Sequence, residues 1–294
     1  MPGTRSENLR GAAIMLVAVG GFALMDAGLK ILSPHYSAMQ VASLRGLATL
    51  PLALIWVAVQ GGFGQLLHIR FGLHLLRAGL GIASLTTFTY GLRGLPLSET
   101  YSIFFVAPLL ITVFAALFLA ERIGRRRWLA IAVGFAGTLI VLRPTGRGTL
   151  TLAGLAILAT AVTYAASAIT TRILGRTDTT QSMVVWLMAM VAAGAGILAL
   201  PGWRPIQSAH WPAIALIGVA GSFGQWGITE AFRRAQASFI APLEYTALVW
   251  GVALDWTLWR TLPGPLTFVG AAVIIASGVY LIRGEQVHAE AEHP

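Results

Sequence analysis

The 294 residues include no cysteine, a single lysine, Lys30, and only 11% charged residues. The absence of cysteine excludes disulfides, thiolate metal sites and thiol nucleophiles, and says nothing about redox compartment. Lys30 sits in an apolar run with no G-K-[ST] sequence, so the chain has no Walker-type phosphate loop. H-E-x-x-H and G-x-S-x-G are missing too, and His35, His68, His74, His210, His288 and His293 are scattered among loops and ends. These gaps predict no metal, no cofactor and no covalent chemistry. Charge is scarce against the roughly one quarter of residues found in soluble domains, so no soluble catalytic or nucleotide-binding domain fits.

Apolar sequence is what the chain has in abundance: 56% hydrophobic residues and a mean hydropathy of +0.76. The net charge of +9 comes from arginines and Lys30 placed mostly between apolar runs. That placement reads as membrane topology, with the lipid bilayer as partner and no nucleic acid. Runs bounded by Arg, Gly, Pro and His predict spans at 11–32, 38–60, 72–92, 97–119, 127–143, 151–173, 180–200, 211–233, 237–258 and 264–283. Continuous runs of this length are helices, not the alternating ten-residue strands of a barrel. The first run is too long for a signal-peptide core and carries Asp26 and Lys30, so it reads as a span, with a cleaved signal as the alternative.

With the N-terminus inside, Arg5, Arg10, Arg70, Arg122, Arg125, Arg126, Arg127, Arg172, Arg176, Arg233, Arg234 and Arg283 lie on the inner side. Arg93, Arg143, Arg147, Arg204 and Arg260 lie outside. The imbalance predicts that both termini are cytoplasmic.

Sliding the chain against itself by about 140 residues aligns Thr89–Gly94 with Thr229–Arg234, and GFAGTLIVLRP with IIASGVYLIRG. The unit is five spans, an odd number, so the second copy enters the membrane from the other side. The expected fold is an all-α membrane protein of ten transmembrane helices, arranged as two inverted five-helix repeats around a central cavity. Its parts are a cytoplasmic segment 1–10, repeats 11–144 and 151–284, a connecting loop 145–150 and a cytoplasmic tail 285–294.

Polar stripes at helical spacing mark the helices that face protein or water. They fall on spans one, three, four, six, eight and nine, with spans five and ten peripheral. Thr160, Thr163, Tyr164, Ser167 and Thr171 share one face of span six, and span eight offers Ser222, Gln225 and Trp226. The alternative is that these hydroxyls bond their own helix carbonyls. Candidate substrate-binding or cavity-lining residues are Tyr90, Tyr101, Tyr164, Ser167, Gln225, Trp226, Glu244 and Tyr245. So many aromatic rings suit an amphipathic or aromatic substrate.

A charge in mid-membrane costs roughly 2.5 kcal/mol or more, so it needs a partner or a role. Asp26 and Lys30, one turn apart, pair on one helix face, and Arg45 reaches the same depth, giving an outer-leaflet cluster that either locks spans one and two or serves transport. Arg93 with Glu99, and Glu121 with its neighbouring arginines, read as solvated loop pairs. Glu244 follows Pro242 inside span nine, and Pro108 gives span four a corresponding bend. An apolar setting suits Glu244 to a coupling proton or a substrate ammonium, the alternative being a neutral, hydrogen-bonded side chain.

Lys30 late in span one, Arg45 followed by GLATLPLAL, APLLITVFAALFLAER, RWLAIAVGFAGTLIVLRP and ASFIAPLEYTALVWGVALDW occur in that order. With them the chain resembles the drug/metabolite transporter superfamily, specifically its ten-helix, EamA-like branch, over nearly its whole length. Within that branch it looks most like exporters of amino acids, including the YddG type for aromatic amino acids. The resemblance implies a bacterial inner-membrane secondary transporter exporting amino acids and related metabolites by alternating access, with oligomeric state open. In the second unit the family has Glu before the last helix, in the place Glu121 holds in the first, and here Arg260 stands there. Two alternatives remain: a non-transporting sensor or carrier subunit, and an intramembrane transferase, for which the sequence has no nucleophile or metal cluster.

Overall fold

A computed structural model describes residues 5–59, 62–67, 69–119, 125–142, 151–234 and 241–291. The connecting loop 145–150, the stretch 120–124 with Glu121 and Arg122, and the side chains of Pro242, Arg172, Thr229, Arg233 and Arg234 lie outside the described residues.

Among the described residues every regular element is helical. The helices are α1 (Arg5–Leu32), α2 (Ala38–Val59), α3 (Phe71–Gly94), α4 (Leu97–Phe104), α5 (Ala107–Leu119) and α6 (Arg125–Leu142). They continue with α7 (Leu152–Leu174), α8 (Thr180–Ala199), α9 (Trp211–Arg234), α10 (Ala247–Leu254) and α11 (Pro265–Ala291). Six helical stretches are long and apolar enough to cross a membrane: Leu9–Leu32, Ala38–Val59, Phe71–Gly94, Leu97–Phe118, Leu152–Thr171 and Thr180–Gly202. Trp128–Val141 and Pro265–Ser277 are shorter apolar helices.

Hydropathy marks the membrane and not the helix, which explains where the elements outrun the predicted spans. α1 starts at Arg5, within the segment expected to precede the helix, and α11 runs to Ala291 through the predicted tail. The tail residues Glu, Gln and Ala are good helix formers despite their polarity. Thr151 and Thr179 cap α7 and α8, their hydroxyls accepting from the backbone N–H of Gly154 and Ser182.

The predicted spans four and nine are not continuous helices. Span four breaks at Phe105 and Val106, and Pro108 is then the second residue of α5, where its missing N–H costs nothing. Span nine is a 3-10 segment, Ala241–Thr246, followed by α10 and a five-residue π turn, Asp255–Trp259. Both breaks lie at an Ala-Pro-Leu sequence, Ala107–Leu109 and Ala241–Leu243.

The most extensively packed partners are α1 with α9, α3 with α7, α6 with α11, α2 with α8, and α2 with α9. Each pair joins one helix before residue 144 to one after it, so the core lies between the halves. Membrane helices gain little from the hydrophobic effect among themselves and rely on close approach, which small residues permit. A Cβ on Gly270 would stand 2.7 Å from the Gly137 carbonyl oxygen, and one on Gly137 would stand 3.0 Å from that of Gly270, so α6 and α11 touch backbone to backbone. At the α1–α9 crossing a Cβ on Gly224 would lie 3.1 Å from the Ala18 oxygen.

Candidate functional site

A cavity of about 400 Å³ lies between α1, α2, α3, α8 and α9. Phe22, Trp56, Phe223 and Trp226 give its wall aromatic surface; Arg45, Thr49, Arg77, Ser222 and Gln225 give it polar groups. Its size falls in the range of small-molecule sites. Gln225 and Trp226, predicted from the span-eight stripe, are both on this wall. The stripes had left out α2 and α8, which supply Thr49, Trp56, Leu187 and Met188; an apolar or aromatic wall residue leaves no polar stripe to read.

Arg77, unremarked in the sequence reading, is the main addition. It lies six residues into α3 and was masked there by an otherwise apolar run. Its Nη1 donates to the Met183 carbonyl on α8 at 2.8 Å, and its buried Nε has no hydrogen-bond partner. Tyr164 is half exposed, meets Phe104 edge to face at 5.2 Å, and lies within electrostatic reach of both Arg77 and Glu244. Glu244 is exposed on the 3-10 segment. Tyr90 is 39% exposed, and Ser167 is half-buried.

Other predicted residues lie deeper. Tyr101 is buried, and its hydroxyl donates to Asp26 Oδ2 at 2.9 Å. Tyr245 is buried against Phe105, 5.1 Å between ring centres, with its hydroxyl unpaired. Several stripe hydroxyls serve their own helix: Thr163 donates to Ala159 at 2.9 Å and Thr171 to Ser167 at 2.8 Å. Thr160 differs, because its hydroxyl also meets that of Thr87 at 2.8 Å across the α3–α7 contact.

The expected Asp26–Lys30 pair is not formed. Asp26 and Arg45 are near enough for their charges to interact, while the Lys30 ammonium lies 3.1 Å from Asp255 Oδ1 and 4.3 Å from the Trp259 ring centre. Asp255 is fully buried and also accepts from the Leu97 N–H at 2.9 Å, the Ser98 N–H at 2.8 Å and the Ser98 hydroxyl at 2.7 Å. It therefore caps the positive N-terminus of α4 and neutralises Lys30 together, a better partner than the single-helix Asp26. Fourteen positions separate Asp255 from Ala241, as they separate Glu121 from Ala107. Arg93 is not paired with Glu99 either; it donates to the carbonyls of Ser33 and Tyr36 at 2.6 and 2.5 Å, where the end of α1 leaves acceptors free.

The model of the EamA-like transporter family matches this chain twice, over residues 9–143 and 151–284. The chain is 28% identical to a riboflavin transporter of Vibrio cholerae over 94% of each chain. It is 25% identical to the pseudopaline exporter CntI of Pseudomonas aeruginosa, covering 93% of this chain and 96% of that one. It is also 25% identical to an S-adenosylmethionine uptake transporter of Rickettsia prowazekii, covering 97% and 96%. A solved crystal structure matches at a TM-score of 0.64 and 18% identity over 94% of this chain, a likeness of fold alone.

Proposed function

The chain belongs to the EamA-like transporter family, and from that premise we propose that it is a secondary transporter carrying a small amphipathic metabolite with a planar ring across a bacterial inner membrane by alternating access. It is a multi-pass membrane transport protein and not an enzyme, like the relatives it matches. The observation that carries the proposal is the aromatic and polar cavity at the contact of the two halves. Riboflavin, the named substrate of one relative, is a flat ring system with a polar tail, which such a wall suits.

Aromatic amino acids are the narrower reading, and export is its direction. Both rest on the resemblance to amino-acid exporters, whereas the relatives include an exporter and an uptake carrier and act on other substrates. Glu244, exposed beside Tyr164, is the candidate for a substrate ammonium or a coupling proton. Ten spans require α6, α9, the segment 241–259 and α11 to cross as well. The double family match and the pairing of helices across the halves support that count and the inverted repeat. The arginine distribution supports cytoplasmic termini.

Counterflow in proteoliposomes of the purified protein tests transport. Labelled tryptophan or riboflavin should accumulate against an internal unlabelled pool. Exchange of neither by folded, monodisperse protein would contradict the proposal and favour a non-transporting sensor or carrier subunit.

A further inference from the structure

The cavity wall carries two guanidinium groups, Arg45 and Arg77, and no carboxylate. Arg45 is near enough to Asp26 for their charges to interact, although its Nε, like that of Arg77, is buried without a hydrogen-bond partner. Arg77 is not answered: among the described residues the ion pairs are Lys30–Asp255 and His74–Asp178. Its Nη1 donates to a neutral carbonyl, that of Met183, and its Nε is buried without an acceptor. An arginine stays charged in proteins, so it cannot relieve this position by losing a proton. An oxyanion in the cavity relieves it, and the guanidinium fork matches a carboxylate or phosphate in geometry as well as charge. On the same cavity wall, Phe223 and Trp226 lie 5.8 Å apart between ring centres and are about half exposed.

We propose that Arg77 binds the oxyanion of the transported molecule while its ring lies against Trp226 and Phe223, so that the substrates are aromatic or ring-bearing organic anions or zwitterions. This inference rests on the transport reading and assigns its charge selectivity. Glu244, beyond Tyr164 and off the cavity wall, is left for a second, cationic group.

Three probes with the same indole ring separate the possibilities: indole-3-acetate, indoxyl phosphate and tryptamine, titrated calorimetrically into purified protein. Wild type should bind one or both anions at least tenfold more tightly than tryptamine, and which anion wins distinguishes a carboxylate from a phosphate. Arg77→Gln should abolish that preference by weakening the anions alone, and Arg77→Lys should restore part of it. Tryptamine binding as tightly as the anions, no binding of any probe, or an equal loss for all three in Arg77→Gln without rescue by Lys would overturn the inference. Counterflow of the same probes separates it from the transport reading. Binding with anion preference but no exchange removes transport and keeps the site, whereas exchange without charge preference removes the site and keeps transport.

Discussion

The two ends of the bundle are held together by different means. At the end with the 33–37 turn, Asp255 gathers Lys30 and the start of α4, and Arg93 ties down the end of α1. There too the Gln40 amide both donates to and accepts from the backbone of Arg204, and the Tyr36 hydroxyl bridges His210 and the Gln207 N–H. At the opposite end the described cross-links are fewer: His74 with Asp178, Arg77 with the Met183 carbonyl, and the Trp186 indole N–H with the Leu66 carbonyl. The cavity runs toward this second end, from Phe22 and Arg45 in the middle of their helices to Trp56 and Arg77 near the ends of theirs. Among the described residues the buried polar groups, each costly to leave unpaired, are concentrated at the first end, and such a network would seal that face of the bundle.

The seal should fail most severely at Asp255. Asp255→Ala strands Lys30 and the first amides of α4, and breaking one partner of a buried pair costs about 3–5 kcal/mol. Thermal unfolding in detergent should show the loss, with Asp255→Asn milder; wild-type stability in Asp255→Ala would remove this residue from the account. Gln40→Ala leaves the Arg204 amide and carbonyl short of partners and should cost about 1–3 kcal/mol by the same measurement.

The opposite end offers a pH test. Burial pushes the Asp178 carboxyl up, but hydrogen bonds from the Thr177 hydroxyl, His74 and the Arg70 backbone outweigh it and hold the group below its ordinary value. A carboxylate depressed in this way contributes stability that is fully present above its unfolded pKa of about 4 and is lost as the pH falls through the folded value. Wild type should therefore lose a component of stability below about pH 4 that Asp178→Asn does not lose; equal acid sensitivity would contradict it. The smallest effect belongs to Thr163, whose hydroxyl bonds its own helix: Thr163→Ala should change stability by under about 0.5 kcal/mol.

These contrasts also show how far the sequence could be read. Apolar length located α2, α3, α7, α8 and α9 to within two residues, because burial in lipid is a local property of each run. Pro108 and Pro242 marked the interrupted spans, although the interruption is a break in one and a 3-10 start in the other. The seal was less legible: helical-face spacing sees partners three or four residues away, and Lys30 and Asp255 are 225 apart. Arg77 was overlooked because a lone arginine near a span end resembles an interfacial anchor until its neighbours on α7 and α8 are known.

A single cysteine at Ser222, on the cavity wall of this cysteine-free chain, tests the account most directly. It would be labelled with a charged thiol reagent from each face of oriented membrane vesicles, in the wild-type background and in Asp255→Asn. The account predicts predominant labelling from the face of the His74 end, protection by transported substrate, and increased labelling from the Tyr36 end once Asp255 is changed. Equal labelling from both faces with Asp255 intact, or none from either, would contradict a cavity sealed at the Tyr36 end.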